Sequence, residues 1–202
     1  MPDALTGMCS FATSETNTMA TILLPGDFTT MPWKNGGGVT HEIARDERNG
    51  AMLWRLSIAE VASDGAFSLF PGMTRLLTVI TGNGMTLEAD DAILTAKPRQ
   101  PVRFSGDAAI EGRLTKGPVR DLNFIFDASN LNADMSRRDG PANINLHATA
   151  VAAAICIEGL VQVDGARLPV GAAALGCRQQ LVLSAASCVI VIIADAVLPM
   201  TV

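Results

Sequence analysis

The chain has 202 residues, of which 49% are hydrophobic and 17% charged, and its formal charge is −5 at pH 7. That much apolar material builds a well-buried core in one large or two small domains and excludes a disordered chain. The acidic balance and the absence of a polybasic block exclude nucleic-acid phosphate binding and charge-driven docking on a membrane.

Residues 1 to about 20 are rich in Ser, Thr and Asn and lack periodicity, so a flexible tail is expected there. Met19 within it offers a second start. The first cation is Lys34, so no basic segment precedes a signal-like apolar core. Next comes the run Pro32-Trp33-Lys34-Asn35-Gly36-Gly37-Gly38, with Thr40 and Glu42 just beyond it. Three glycines permit left-handed backbone and close approach. Trp33, Lys34 and Asn35 add a stacking surface, a cation and a bidentate amide. A tight turn carrying a half-buried Trp is the simpler reading, and a loop that holds a small anionic ligand is the second.

Short strand-like runs then dominate. Strands are expected at 39–45, 52–61, 74–81, 84–88, 101–104, 110–115 and 119–127, and in a second series at 144–150, 153–158, 160–163, 180–184 and 187–196. This spacing, with little helical periodicity, indicates a sandwich or barrel. Val79-Ile80-Thr81-Gly82 followed by Met85-Thr86-Leu87 is echoed by Cys156-Ile157-Glu158-Gly159 followed by Val161-Gln162-Val163. Two copies of one β unit make a duplicated jelly roll, with lobes at 21–128 and 129–202.

Residues 144–202 carry five charged side chains against 28 in residues 20–143. The site is therefore expected in the first lobe. A covered surface on the second is compatible with a homodimer. The longest apolar run, Ser187 to Ala194, breaks at Asp195, too short to span a bilayer. Cys9, Cys156, Cys177 and Cys188 have no paired spacing, so buried free thiols in a cytoplasmic protein are expected.

Alternation sorts the faces of three strands. Trp54, Leu56 and Ile58 oppose Arg55, Ser57 and Ala59. Leu122, Phe124 and Phe126 oppose Asp121 and Asn123, and Val39, His41 and Ile43 oppose Thr40, Glu42 and Ala44. Two readings stay open: a solvated outer face, or a pocket in which Glu42, Arg55, Ser57, Asp121 and Asn123 converge. Arg75, at the start of an apolar strand, is a second guanidinium for a carboxylate or one half of a surface ion pair. Ser105-Gly106-Asp107 reads as a turn, and His41 as a packed histidine.

Several chemistries drop out. Only His41 and His147 are present, without metal-ligand spacing, so neither metal nor cofactor is expected. There is no Tyr, no nucleophile elbow and no phosphate-cradling glycine motif. Proton transfer is left to Lys34 with Glu42 or Asp121.

Taken together, Pro32 to Gly38 with Thr40-His41-Glu42-Ile43 resembles the signature of the HutD family, also called Ves. Trp54 to Ala59, Asp64-Gly65, Phe67-Ser68, Phe70-Pro71-Gly72 with Arg75, Phe104 to Asp107, and Gly117-Pro118 with Asp121-Leu122-Asn123 extend the match in order. The resemblance implies a cupin-like fold of two stacked jelly-roll halves, a bicupin. It also implies a place in histidine utilisation, sensing or limiting flux of a small carboxylate such as urocanate, formiminoglutamate or formylglutamate. The ligand-binding residues it implies are Trp33, Lys34, Asn35, Glu42, Arg55, Ser57, Arg75, Asp121 and Asn123. The alternatives are a metal-independent isomerase or lyase using Lys34 and Glu42, and an interaction protein that docks through its apolar second lobe. His41 stands where the resemblance leads one to expect Arg, and the sequence beyond Arg137-Arg138 is Ala-rich and diverged.

Overall fold

The computed structural model describes residues 19–197, except Asn35 and Asp91. Most of the expected tail, with Cys9, lies outside the described residues. Of that stretch Ala20 is placed, its N–H donating to Asp164 Oδ2 at 2.9 Å.

Strands follow one another with little between them but turns. They are β1 (Thr21–Leu23), β2 (Thr29–Pro32), β3 (Gly38–Arg48), β4 (Ala51–Val61), β5 (Gly65–Ala66), β6 (Thr74–Thr81), β7 (Met85–Glu88), β8 (Ile93–Ala96) and β9 (Val102–Ser105). After these come β10 (Glu111–Leu114), β11 (Val119–Phe126), β12 (Leu131–Asp139), β13 (Ala142–Glu158), β14 (Val161–Val163), β15 (Ala166–Leu168), β16 (Ala173–Leu183) and β17 (Cys188–Ala196). The all-β class holds. The expected barrel halves do not, because the strands form three open sheets and none closes on itself among the described residues. No helix of the described residues is long and apolar enough to cross a membrane.

The chain divides into two compact units. In residues 26–128 a six-stranded sheet, β2-β3-β4-β11-β6-β9, faces a four-stranded one, β5-β10-β7-β8. Between them lies a core of Val61, Leu77, Val79, Met85, Leu87, Ala96, Ile110 and Val119. Partners in an antiparallel ladder share a face, so the register decides what points inward. Arg55, Ile125 and Arg75 align across β4, β11 and β6, as do Ser57, Asn123 and Leu77, and then Ala59, Asp121 and Val79. Glu42 sits opposite Ser57 and Thr40 opposite Ala59. The face carrying the polar residues is thus the inner one: its far end is hydrocarbon and its near end is polar. On the other face, Trp54 stacks on Phe124 at 5.8 Å and Phe124 on Phe126 at 5.6 Å.

The second unit is built on the sheet β12-β17-β13-β16-β14-β15, with β1 added on β16. Its core is made of small side chains, including Ala148, Ala152, Ala154, Ala172 and Ala174, with Val161, Leu181 and Val189. β13 runs unbroken where two strands were expected, because a register shift after His147 absorbs the bend. At that shift the buried Gln179 amide donates to Ala152 O at 2.8 Å and to Ala174 O at 3.3 Å. Cys156 and Cys188 are buried free thiols as expected. Cys177 is not one, being disulfide-bonded.

Candidate functional site

The inner face of the six-stranded sheet opens into a cavity of about 380 Å³. Trp33, Lys34, Arg55, Ser57, Arg75 and Asn123 line it, together with Phe67 and Phe70. Six of the nine residues singled out from the sequence therefore meet on one wall. Asn35 lies outside the described residues. Glu42 and Asp121 share the face but stand behind the lining. Glu42 is held by Arg55 Nε at 2.9 Å and Arg45 Nε at 3.8 Å. The Arg55 Nε–H is not aimed along its short contact, so this is an ion pair rather than a formed hydrogen bond.

The glycine loop is a closed turn. Trp33 N–H donates to Gly38 O at 2.9 Å and Gly36 N–H to Trp33 O at 3.1 Å. The indole Nε1–H donates to Thr40 Oγ1 at 2.8 Å, which fixes the ring over the start of β3. The reading as a turn with a half-buried Trp holds, and the same turn places Lys34 on the lining of the cavity.

Arg75 is the centre of the wall. It is 5% exposed. Its Nη2 donates to Asn123 Oδ1 at 2.8 Å and its Nη1 to Ser68 O at 3.3 Å. Three rings surround the guanidinium, with Cζ 5.2 Å from the Phe67 centroid, 5.4 Å from Phe70 and 5.0 Å from Phe104. Such contacts stabilise a desolvated cation by about 1 kcal/mol or more each. Asn123 Nδ2 in turn donates to Asp121 Oδ1, completing a buried chain from guanidinium to amide to carboxylate. The surface-pair reading of Arg75 is thereby excluded.

Burial lowers the pKa of Arg75 to about 10, with Asp121 pulling it up and Arg55 pushing it further down. Arg75 thus stays a cation at neutral pH. Burial raises the Asp121 carboxyl to about 7, against the opposing pull of Arg75 and the Asn123 hydrogen bond. Asp121 is fully buried and its Oδ2 has no hydrogen-bond donor.

A carboxyl whose pKa is raised on folding binds its proton more tightly in the native state, so its contribution favours folding at low pH. That contribution is lost as pH rises from about 4 through 7, and amounts to about 4 kcal/mol at most. Urea denaturation between pH 5 and 8 should show Asp121→Asn gaining stability relative to wild type as pH rises. Parallel profiles for the two proteins would refute this placement of Asp121.

The Phe67–Met73 segment was missed as a wall because loop residues have no periodicity to show their direction. Its signal was the glycine-bearing turn opposite. Phe70 N–H donates to Gly106 O, Gly106 N–H to Met73 O at 2.7 Å, and Gly72 N–H to Asp107 Oδ1 at 2.9 Å. Ser105-Gly106-Asp107 is thus a turn, as read, and also the clamp that sets Phe70 beside Arg75. His41 is partly packed, its side chain 21% exposed on the face opposite the cavity beside the buried Ile58. It is also polar in its contacts, with Nδ1 3.0 Å from Thr30 Oγ1 and Nε2 3.4 Å from Glu60. Among the described residues no group of three or more His, Cys, Asp and Glu side chains is assembled to hold a metal ion.

A family model described as HutD matches residues 26–196. An uncharacterised protein of Pseudomonas putida, from the hutC 3′ region, is 37% identical over 138 residues, covering 64% of this chain and 70% of the relative. HutD from Pseudomonas fluorescens, solved in a formate condition, matches with a TM-score of 0.78 at 32% identity over 88% of this chain and 99% of that one. A likeness to Ylba of E. coli (TM-score 0.67, 10% identity, 91% and 93% covered) shows the fold alone, an all-β cupin-like one. The location of the Pseudomonas putida relative links the family to the histidine-utilisation locus. On the strength of the nearly full-length match and the 32% identical structure, the chain belongs to the HutD family.

Proposed function

We propose that the protein binds a small carboxylate metabolite of histidine degradation and senses or limits flux through that pathway, without metal or catalysis. The observation that carries this reading is the alignment of Arg55 and Arg75 on either side of Ile125, both lining a cavity walled by aromatic rings. Guanidinium forks match carboxylates in shape and charge. Trp33, Phe67 and Phe70 provide flat surfaces for a planar or amide-bearing body such as urocanate, formylglutamate or formiminoglutamate. Lys34 closes the mouth. The formate condition of the Pseudomonas fluorescens relative is compatible with an anion site of this chemistry. The two lobes are read as a duplicated pair of jelly-roll halves. The rival isomerase built on Lys34 and Glu42 has no observation in its favour, because Glu42 is engaged by Arg55 and Arg45.

Calorimetry with urocanate, formylglutamate and formiminoglutamate is expected to give saturable heat for at least one of them. Arg55→Met should weaken that binding about tenfold to a hundredfold, the loss of a charge-assisted hydrogen bond worth about 1.5–3 kcal/mol. No heat from any of the three at millimolar concentration rejects the reading.

A further inference from the structure

The charges on the inner face are balanced before any ligand arrives. Arg55 and Arg75 are its buried cations and Glu42 and Asp121 its anions, while Arg45, which also reaches Glu42, is 56% exposed and screened by solvent. Glu42 neutralises Arg55 directly, and Asp121 neutralises Arg75 through the Asn123 amide. An entering carboxylate therefore leaves this low-dielectric cluster with one negative charge in excess, which is costly away from water. Lys34 at the mouth is exposed, so its charge is screened by solvent. One anion on the face is easily discharged. Asp121 is fully buried between Ala59 and Val79, and its Oδ2 receives no hydrogen bond.

We propose that the cavity takes up its carboxylate ligand together with one proton from water, and that the proton settles on Asp121. This rests on the carboxylate reading above. An O–H bond forms at Asp121 while no bond of the ligand breaks. Asn123 continues to donate to Oδ1, and the positive charge of Arg75 passes from Asp121 to the ligand. The carboxyl is already poised for this, since burial has brought it to about 7. By linkage, proton and ligand each tighten the binding of the other.

The other groups facing Asp121 are Arg75 on β6, Arg55 on β4 and Glu42 on β3, while the four-stranded sheet opposite presents Met85, Leu87 and Ile110. Arg75 stays a cation between pH 6 and 8.5. His41 and Glu60 belong to the outer face.

Formylglutamate is a suitable probe because both its carboxyls stay ionised across this range. Calorimetry from pH 6 to 8.5, in two buffers of different ionisation enthalpy, is expected to show about tenfold tighter binding at pH 6, for a shift of about one unit in Asp121. About 0.4 proton should be taken up per ligand at pH 8, as a one-unit shift from about 7 dictates. The ¹³C carboxyl signal of Asp121 should move toward its acid position on binding. Asp121→Asn should bind independently of pH with no proton uptake, which also removes His41 as the source. Binding that is retained in wild type but indifferent to pH overturns the coupling alone. No binding at any pH overturns the carboxylate assignment and the coupling with it. If Asp121→Asn does not fold, the ¹³C titration of wild type decides.

Discussion

Arg75→Met is expected to destabilise the protein by about 3–5 kcal/mol at pH 8, the usual cost of removing one partner from a buried charge pair. The loss follows from what stays behind. Asp121 has no other cation within its chain of hydrogen bonds, and Asn123 Oδ1 loses the donor it receives at 2.8 Å. The penalty should shrink at pH 5.5, where the orphaned carboxyl takes a proton and ceases to be a buried charge. The double variant Arg75→Met/Asp121→Asn should recover most of the stability and none of the carboxylate binding. Urea denaturation at the two pH values, with calorimetry on the double variant, makes the check. An equal loss at both pH values would show that Arg75 matters through packing against Phe67, Phe70 and Phe104 and not through charge.

Gly38→Val should have the next largest effect, a loss of about 2–3 kcal/mol from overpacking. A Cβ at this position would collide with the carbonyl oxygen of Glu60 and stand 3.0 Å from the Trp33 ring. The backbone has little room to move away. Gly38 is paired with Val61 in the sheet, and its carbonyl accepts from Trp33 N–H. The indole must therefore leave Thr40, and the cavity loses one wall. Gly26→Ala is the control, since nothing lies within 4 Å of the added atom. Fluorescence should separate the outcomes: Gly38→Val shifts the Trp33 emission, while Trp54, stacked on Phe124, keeps its own. An unshifted spectrum with full stability would mean that the loop has slack.

The inner face could be read directly from residue order because β4 and β11 alternate without interruption. Arg55-x-Ser57-x-Ala59 and Asp121-x-Asn123 obey the period of two, and the register joins them. What period two does not reveal is which side of a sheet is inside. Trp54, Leu56 and Phe124 on the opposite face are buried as well, and only the four-stranded sheet shows which face carries the cavity. Other strands were hidden for local reasons. β12 alternates well, with Leu131, Ala133 and Met135 buried, but Asn132 and Asp134 between them are poor strand formers. The first half of β16, Ala173-Ala174-Leu175-Gly176-Cys177, has side chains too small to give a hydrophobic signal, yet it pairs with β1 and β13. β5 is two residues long, and β8 lies in a stretch of low strand signal, so the sheet that closes the cavity was the least visible part.

The clamp at Ser105–Asp107 grips the Phe70–Met73 turn almost wholly through main-chain atoms, with Asp107 the one side chain involved. Under the proposed carboxylate binding, scaffold and selectivity are therefore largely separable: exchanging the ring at 67 or 70 keeps the main-chain frame of the turn and gives up one of the three ring contacts of Arg75. These two positions are the first to randomise in reshaping the chamber.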